Sequence, residues 1–142
     1  MIDSAQGVFP MLSYEDGPAA VDWLTRVFGF RERTESRMIM PDGTLGHAEM
    51  QTGHGVIFLS TMLRGYESPN RHREHCDTTR AWSSVPWVIN GVMIHVDDID
   101  PHYERSKREG ARLLSPVEDA PPGRLYRAED FEGQRWMFLQ AR

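Results

Sequence analysis

His47 and Glu49 stand two positions apart in the run L-G-H-A-E-M, a spacing that puts both side chains on one face of an extended strand. If Ala48 and Met50 on the other face are core, an imidazole and a carboxylate point together at whatever that strand faces. Such a pair can move a proton or anchor a ligand by two polar groups, and a solvent-exposed pair at a sheet rim has the same pattern. Arg124 and Tyr126 repeat the spacing. They could clamp an anionic or aromatic group, or Arg124 could be a plain surface charge, and the face they take stays open. His95 shares its strand face with Met93, where it either touches a ligand or meets solvent. His72, His75 and Cys76, in R-H-R-E-H-C-D, are metal-ligating types. They lack a fourth partner, and Arg71 and Arg73 beside them would repel a cation, so a solvated or dimer-contact segment is the plainer reading. The acidic run Asp97, Asp98 and Asp100 suits a helix start, where the macrodipole favours carboxylates.

The elements that must position these residues follow from periodicity. Alternation begins at Val8, and Glu15-Asp16-Gly17-Pro18 turns the chain into a helix with apolar residues at Ala20, Val21, Leu24, Val27 and Phe28, which Gly29 ends. Strand-like runs cover 31–40, 44–51 and 56–61, joined through Pro41-Asp42-Gly43 and Thr52-Gly53-His54-Gly55. Residues 62–90 read as a long connection with a short helix near His72 to Trp82. Then come a strand at 92–96, a helix at 102–109 begun by Asp97 to Pro101 and ended by Gly110, and strands at 112–115, 124–129 and 134–140, with a turn at 120–123. Each half therefore reads β-α-β-β-β, an α+β pattern with module one at 8–61 and module two at 91–141. The halves superpose as an element-level repeat: Asp16 onto Asp98 at an offset of 82, Gly29 onto Gly110 at 81 and Phe58 onto Met137 at 79.

With 142 residues the chain fits one domain able to bury a core without staples. Sixteen Lys and Arg against twenty-one Asp and Glu, interspersed, give a net charge of -5 and argue against nucleic acid as partner. The single cysteine, Cys76, forms no intrachain disulfide, and no apolar run is long enough to span a membrane, so a cytoplasmic protein with no membrane partner is expected. Trp82, Val85, Pro86 and Trp87 are too apolar for a free loop and are expected to cover a pocket or a partner subunit, which points to a homodimer.

The ordered runs Y-E-D-G-P-A-A-V-D-W-L-T-R-V-F-G-F, D-G-T-L-G-H-A-E-M, V-D-D-I-D-P-H-Y-E-R-S-K-R-E-G-A and D-F-E-G-Q-R-W-M-F together resemble the glyoxalase/bleomycin resistance protein/dioxygenase (vicinal oxygen chelate) superfamily. The resemblance implies two βαβββ modules whose curved sheets form a cup with the helices outside. In metal-dependent members it implies divalent-metal ligands on the first and last strands of both modules. Those positions fall here on Phe9, Phe58, Gly91 or Val92, and Met137, none of which supplies an imidazole or carboxylate.

No metal and no other cofactor is therefore expected, and the chain is similar to the metal-free, ligand-sequestering branch of the superfamily. The expectation is a small-molecule-binding protein with a cup lined by Phe9, Met11, Phe58, Met93 and Met137. His95, Arg124 and Tyr126 are further contact candidates, His47 and Glu49 polar anchors, and the Trp82 to Trp87 segment a cover. The competing reading is an enzyme, a lyase, isomerase or dioxygenase type, using His47 and Glu49 or a nonstandard metal site. A purely structural or regulatory dimer is a third.

Overall fold

A computed structural model of the protein describes residues 5–61 and 64–142; Met62 and Leu63, the first residues of the expected connection, lie outside the described residues. The chain divides between Tyr66 and Glu67 into two units.

The first unit holds β1 (Met11–Ser13), α1 (Gly17–Phe28), β2 (Arg31–Glu32), β3 (Met38–Ile39), β4 (Leu45–Gln51) and β5 (Val56–Ser60). Its sheet runs β1-β5-β4-β2, with β3 also pairing β4. The β1–β5 pair is parallel and the others antiparallel. Helix α1 starts where Asp16 is extended and its Oδ1 accepts the Ala19 N–H at 3.0 Å, with Pro18 in the first turn. It stops at Gly29, whose φ of 75° and ψ of 17° is the left-handed conformation that glycine takes without a Cβ penalty. Between these caps Ala20, Val21, Leu24, Val27 and Phe28 are buried, as are Ala48, Met50, Ile57 and Leu59 on the sheet. Period-two alternation thus gives β4 and β5 one face covered by α1 and one face turned away from it.

The expected continuous strand over 31–40 is broken. A 3-10 turn at Thr34–Ser36 separates β2 from β3. The turn is held by the Ser36 hydroxyl on the Arg33 carbonyl at 2.7 Å and bridged by a forked Arg37–Glu32 ion pair at 2.7 and 2.9 Å. Local polar contacts here outcompete a continuous ladder.

The second unit begins with two short helices in place of the single one expected, α2 (Pro69–His75) and α3 (Asp77–Ser83). Cys76 between them is extended, at φ −129° and ψ 109°, and its Sγ accepts the Thr79 hydroxyl, which holds the thiol below its ordinary range. Then follow β6 (Val92–His95), α4 (Ile99–Arg108), β7 (Arg112–Leu113), β8 (Glu118–Ala120), β9 (Gly123–Glu129) and β10 (Arg135–Ala141), with sheet order β6-β10-β9-β7 and β8 pairing β9. The short β8 and the three-residue earlier start of α4 were not legible in the pattern. Trp136 and Phe138 are fully buried on the α4 side of β10, with Ala128, Tyr126 and Ile99. The fold is α+β: in each unit a strand and a helix are followed by four strands, one more than the expected β-α-β-β-β, because the 31–40 run is split in the first unit and β8 is added in the second, which also has α2 and α3 ahead of β6. Among the described residues no helix is long and apolar enough to cross a membrane.

Candidate functional site

Strand register places the chemistry of the first unit. Met11 pairs with Phe58, and Phe58 with Glu49 across β5 and β4. The face away from α1 therefore carries Phe9 and Met11, then Phe58, then His47, Glu49 and Gln51, then Arg31 and Arg33. Phe9 stacks on Phe58 with centroids 5.1 Å apart and planes 12° apart, and His47 meets the Phe58 ring edge-on at 4.9 Å. Met11 is 80% exposed and Phe58 half-buried. An apolar platform with an imidazole at its border is a fitting surface for a flat organic molecule.

The polar part is denser than the sequence suggested. His47 Nε2 lies 3.2 Å from Glu49 Oε1, and Arg33 Nη1 lies 3.2 Å from Glu49 Oε2, while Glu49 itself is only 6% exposed. His47 and Glu49 are thus brought together as expected, with Arg33 as an unforeseen third member. Glu49 Oε2 has no hydrogen bond of good geometry among the described residues, so this buried oxygen has only the ion pair to offset its lost hydration. Farther along the same face Arg31 donates from Nε and Nη2 to Gln51 Oε1 at 3.1 and 2.7 Å.

In the second unit the register pairs Met137 with Met93 and Arg127, and Leu139 with His95. Met93, at 60% exposure, the half-buried Met137 and the exposed His95 share the face away from α4. The Arg127 guanidinium on that face pairs with Glu118, and its Nε lacks a hydrogen-bond partner among the described residues. Arg124 and Tyr126 are corrections: both take the opposite face. Tyr126 is fully buried beneath α4, its hydroxyl 2.7 Å from His102 Nδ1 and 2.8 Å from Ser106 Oγ, and burial pushes its ionisation upward. Arg124 forks onto Asp100 of α4 at 2.8 and 3.0 Å, which lowers the Asp100 carboxyl below its usual range. Both are occupied in fastening the helix to its sheet. The physical cause is that β9 carries an arginine on each face, Arg124 on one and Arg127 on the other, so alternation alone could not say which side is core.

A second cluster escaped the sequence reading. Glu129, 2% exposed, receives Arg135 Nε at 3.0 Å, Arg73 Nη2 at 2.9 Å and Arg112 Nη1 at 3.4 Å. Arg135 also donates to the carbonyls of Ser83 and Trp87, each at 2.7 Å, and to that of Val85. The segment after α3 is therefore pinned to β10 through one guanidinium, while Trp82 and Trp87 remain 58% and 60% exposed. The His72 and His75 rings lie 5.5 Å apart and tilted by 41°, and His75 Nε2 is 2.7 Å from Glu67 Oε2.

The positions at which metal-dependent relatives would place ligands do not fit a divalent cation. Phe9 precedes the register partner of Phe58 by two residues, and Gly91 likewise precedes Met93, the partner of Met137, so that Gly91 rather than Val92 is the register equivalent of Phe9. A Cβ at Gly91 would collide with Val88 Cγ1 and the Arg135 carbonyl oxygen. No ligand side chain has room there, and Phe9, Phe58 and Met137 offer no nitrogen or oxygen.

The family model described as Glyoxalase/Bleomycin resistance protein/Dioxygenase superfamily matches residues 8–138. Among solved structures, TioX from Micromonospora sp. ML1 is similar at 32% identity, with 95% of each chain covered and a TM-score of 0.67. TnmS3, an antibiotic binding protein from Streptomyces sp. CB03234, shares the fold at 14% identity, with 95% of this chain and 96% of that one covered and a TM-score of 0.62. The fosfomycin resistance protein FosX from Listeria monocytogenes does so at 13% identity, with 95% and 92% covered and a TM-score of 0.61. No curated protein sequence matches.

Proposed function

This chain belongs to the glyoxalase/bleomycin resistance protein/dioxygenase superfamily, and from that premise we propose that it binds a small organic molecule without a divalent metal. The observation that carries the reading is the Phe9–Phe58 stack on the sheet face away from α1, edged by His47 and backed by the buried Glu49–Arg33 pair. Met93 and Met137 give the second sheet a comparable apolar face. Exposed methionine beside half-buried phenyl surface suits contact with an apolar ligand. The fold is shared with an antibiotic binding protein, which supports the same class of ligand. The single cysteine fits a cytoplasmic setting, and the exposed Trp82 and Trp87 support a homodimer.

The test compares two aromatic truncations, with Nile red as an apolar fluorescent probe. Trp136→Ala removes a fully buried ring whose Nε1 donates to Asp130 Oδ2 at 3.1 Å, and should destabilise by the full about 3–5 kcal/mol of a core aromatic. Phe58→Ala should destabilise by clearly less while weakening Nile red binding. Equal damage from both, in thermal unfolding, would mean that the platform is packed core and would remove the basis of the proposal.

The 3.2 Å His47–Glu49 contact favours a second reading, in which this face performs proton transfer as a lyase or isomerase. Turnover of carbonyl or epoxide substrates that His47→Gln abolishes, with Nile red binding retained, would establish it in place of simple binding.

A further inference from the structure

Resting on the binding reading above, we propose that the ligand of the first sheet carries an oxyanion, a carboxylate or phosphoryl group, received by Arg31. An open cleft of about 840 Å³ lies at the end of this sheet, lined by Arg31, Arg33, Gln51, His54, Gln6 and Val56. Val56 of this lining is two residues from Phe58 on the same strand face, which sets the cleft beside the aromatic platform. The Gln6 amide fixes its wall by acting as a surrogate strand, accepting the Val56 N–H at 2.7 Å and donating to the Val56 carbonyl at 2.8 Å.

Charge separates the two arginines. Arg33 is committed to Glu49 at 3.2 Å and reaches Glu35 at 3.7 Å. Arg31 is exposed, and among the described residues it bonds only the neutral Gln51 amide. That amide aims the guanidinium without cancelling its charge. The second unit offers an internal control, because Arg112 pairs in register with Glu129 as Arg31 does with Gln51. There the partner is a carboxylate already shared with Arg73 and Arg135. The equivalent cation faces a carboxylate in one module and, among the described residues, only a neutral amide in the other.

Distance suits an aryl acid. Two residues along a strand are about 7 Å and two strand spacings about 10 Å, which the long Arg31 side chain shortens to roughly the length of a bicyclic ring system bearing one acidic group. Guanidinium forks match carboxylate and phosphoryl oxygens alike.

The experiment titrates naphthoate, naphthyl phosphate and the neutral naphthamide into wild-type, Arg31→Gln and Phe58→Ala protein by calorimetry, at low and high salt. The two anions should bind the wild type about tenfold tighter than naphthamide, and the preference should shrink with salt. It should vanish in Arg31→Gln at unchanged melting temperature, since the side chain is exposed. Phe58→Ala should weaken all three probes. Whichever anion binds tighter names the group. Equal binding of charged and neutral probes, or a preference that survives Arg31→Gln, overturns the charge assignment and leaves the aromatic face standing. If none of the three binds the wild type, the binding reading falls as well.

Discussion

Arg135→Ala should be among the most damaging single changes outside the apolar core. Its guanidinium is 8% exposed and supplies a charged hydrogen bond to Glu129 and three to the carbonyls of Ser83, Val85 and Trp87. Breaking a buried ion pair by removing one partner costs about 3–5 kcal/mol, and hydrogen bonds to charged groups contribute about 1.5–3 each. These terms overlap, because the carbonyls can regain water once the segment lifts and Glu129 keeps Arg73 at 2.9 Å. The net expectation is therefore about 3–5 kcal/mol rather than the sum. Arg112→Ala is the control: it contacts the same carboxylate at 3.4 Å but is 62% exposed, so its loss should stay within about 1 kcal/mol. Urea unfolding of both variants measures the difference. Amide hydrogen exchange should show residues 83–87 deprotected in Arg135→Ala alone. Equal losses from the two substitutions, or an unchanged exchange pattern, would refute the claim that this one side chain fastens the segment.

Burial raises the Tyr126 ionisation above its ordinary value near 10. Folding stability from this group should be complete below about pH 10 and be lost as pH rises toward the raised value. Absorbance titration should show one tyrosine ionising only with unfolding, and Tyr126→Phe should remove that alkaline dependence. Purified protein should carry no stoichiometric Zn, Ni or Fe, and chelation should leave its melting temperature unchanged; about one metal per chain lost together with stability would contradict the proposed metal-free binding. Light scattering at micromolar concentration should give a dimer mass, and a monomer mass would count against the Trp82 and Trp87 surface as an interface.

Much of the fold is written in local pattern. The caps of α1 at Asp16 and Gly29, the clean alternation H-A-E-M in β4, and the element repeat at offsets near 80 are consequences of a residue and its near neighbours. They reveal the β-α-β-β-β pattern of each half and the shared face of His47 and Glu49, whereas W-M-F-L is apolar at every position and the burial of Trp136 and Phe138 followed only from what the family resemblance implies for Met137. Boundaries failed where short-range polar contacts decided them, as at the Thr34–Ser36 turn and at Cys76 between α2 and α3.

What only the tertiary structure decided is who stands opposite whom. Alternation says that Arg124 and Tyr126 share a face but not that α4 covers it, because the covering helix comes from elsewhere in the chain. It says that Arg31 and Arg33 share a face but not that register sets them against Gln51 and Glu49. Nor can it assemble three arginines, from α2, β7 and β10, around Glu129. Side-chain type and spacing act over a few residues, so they determine the elements. Charge balance at a site is summed over strands brought together by pairing, and a cation such as Arg31 acquires its chemistry only from the neighbour that folding places beside it.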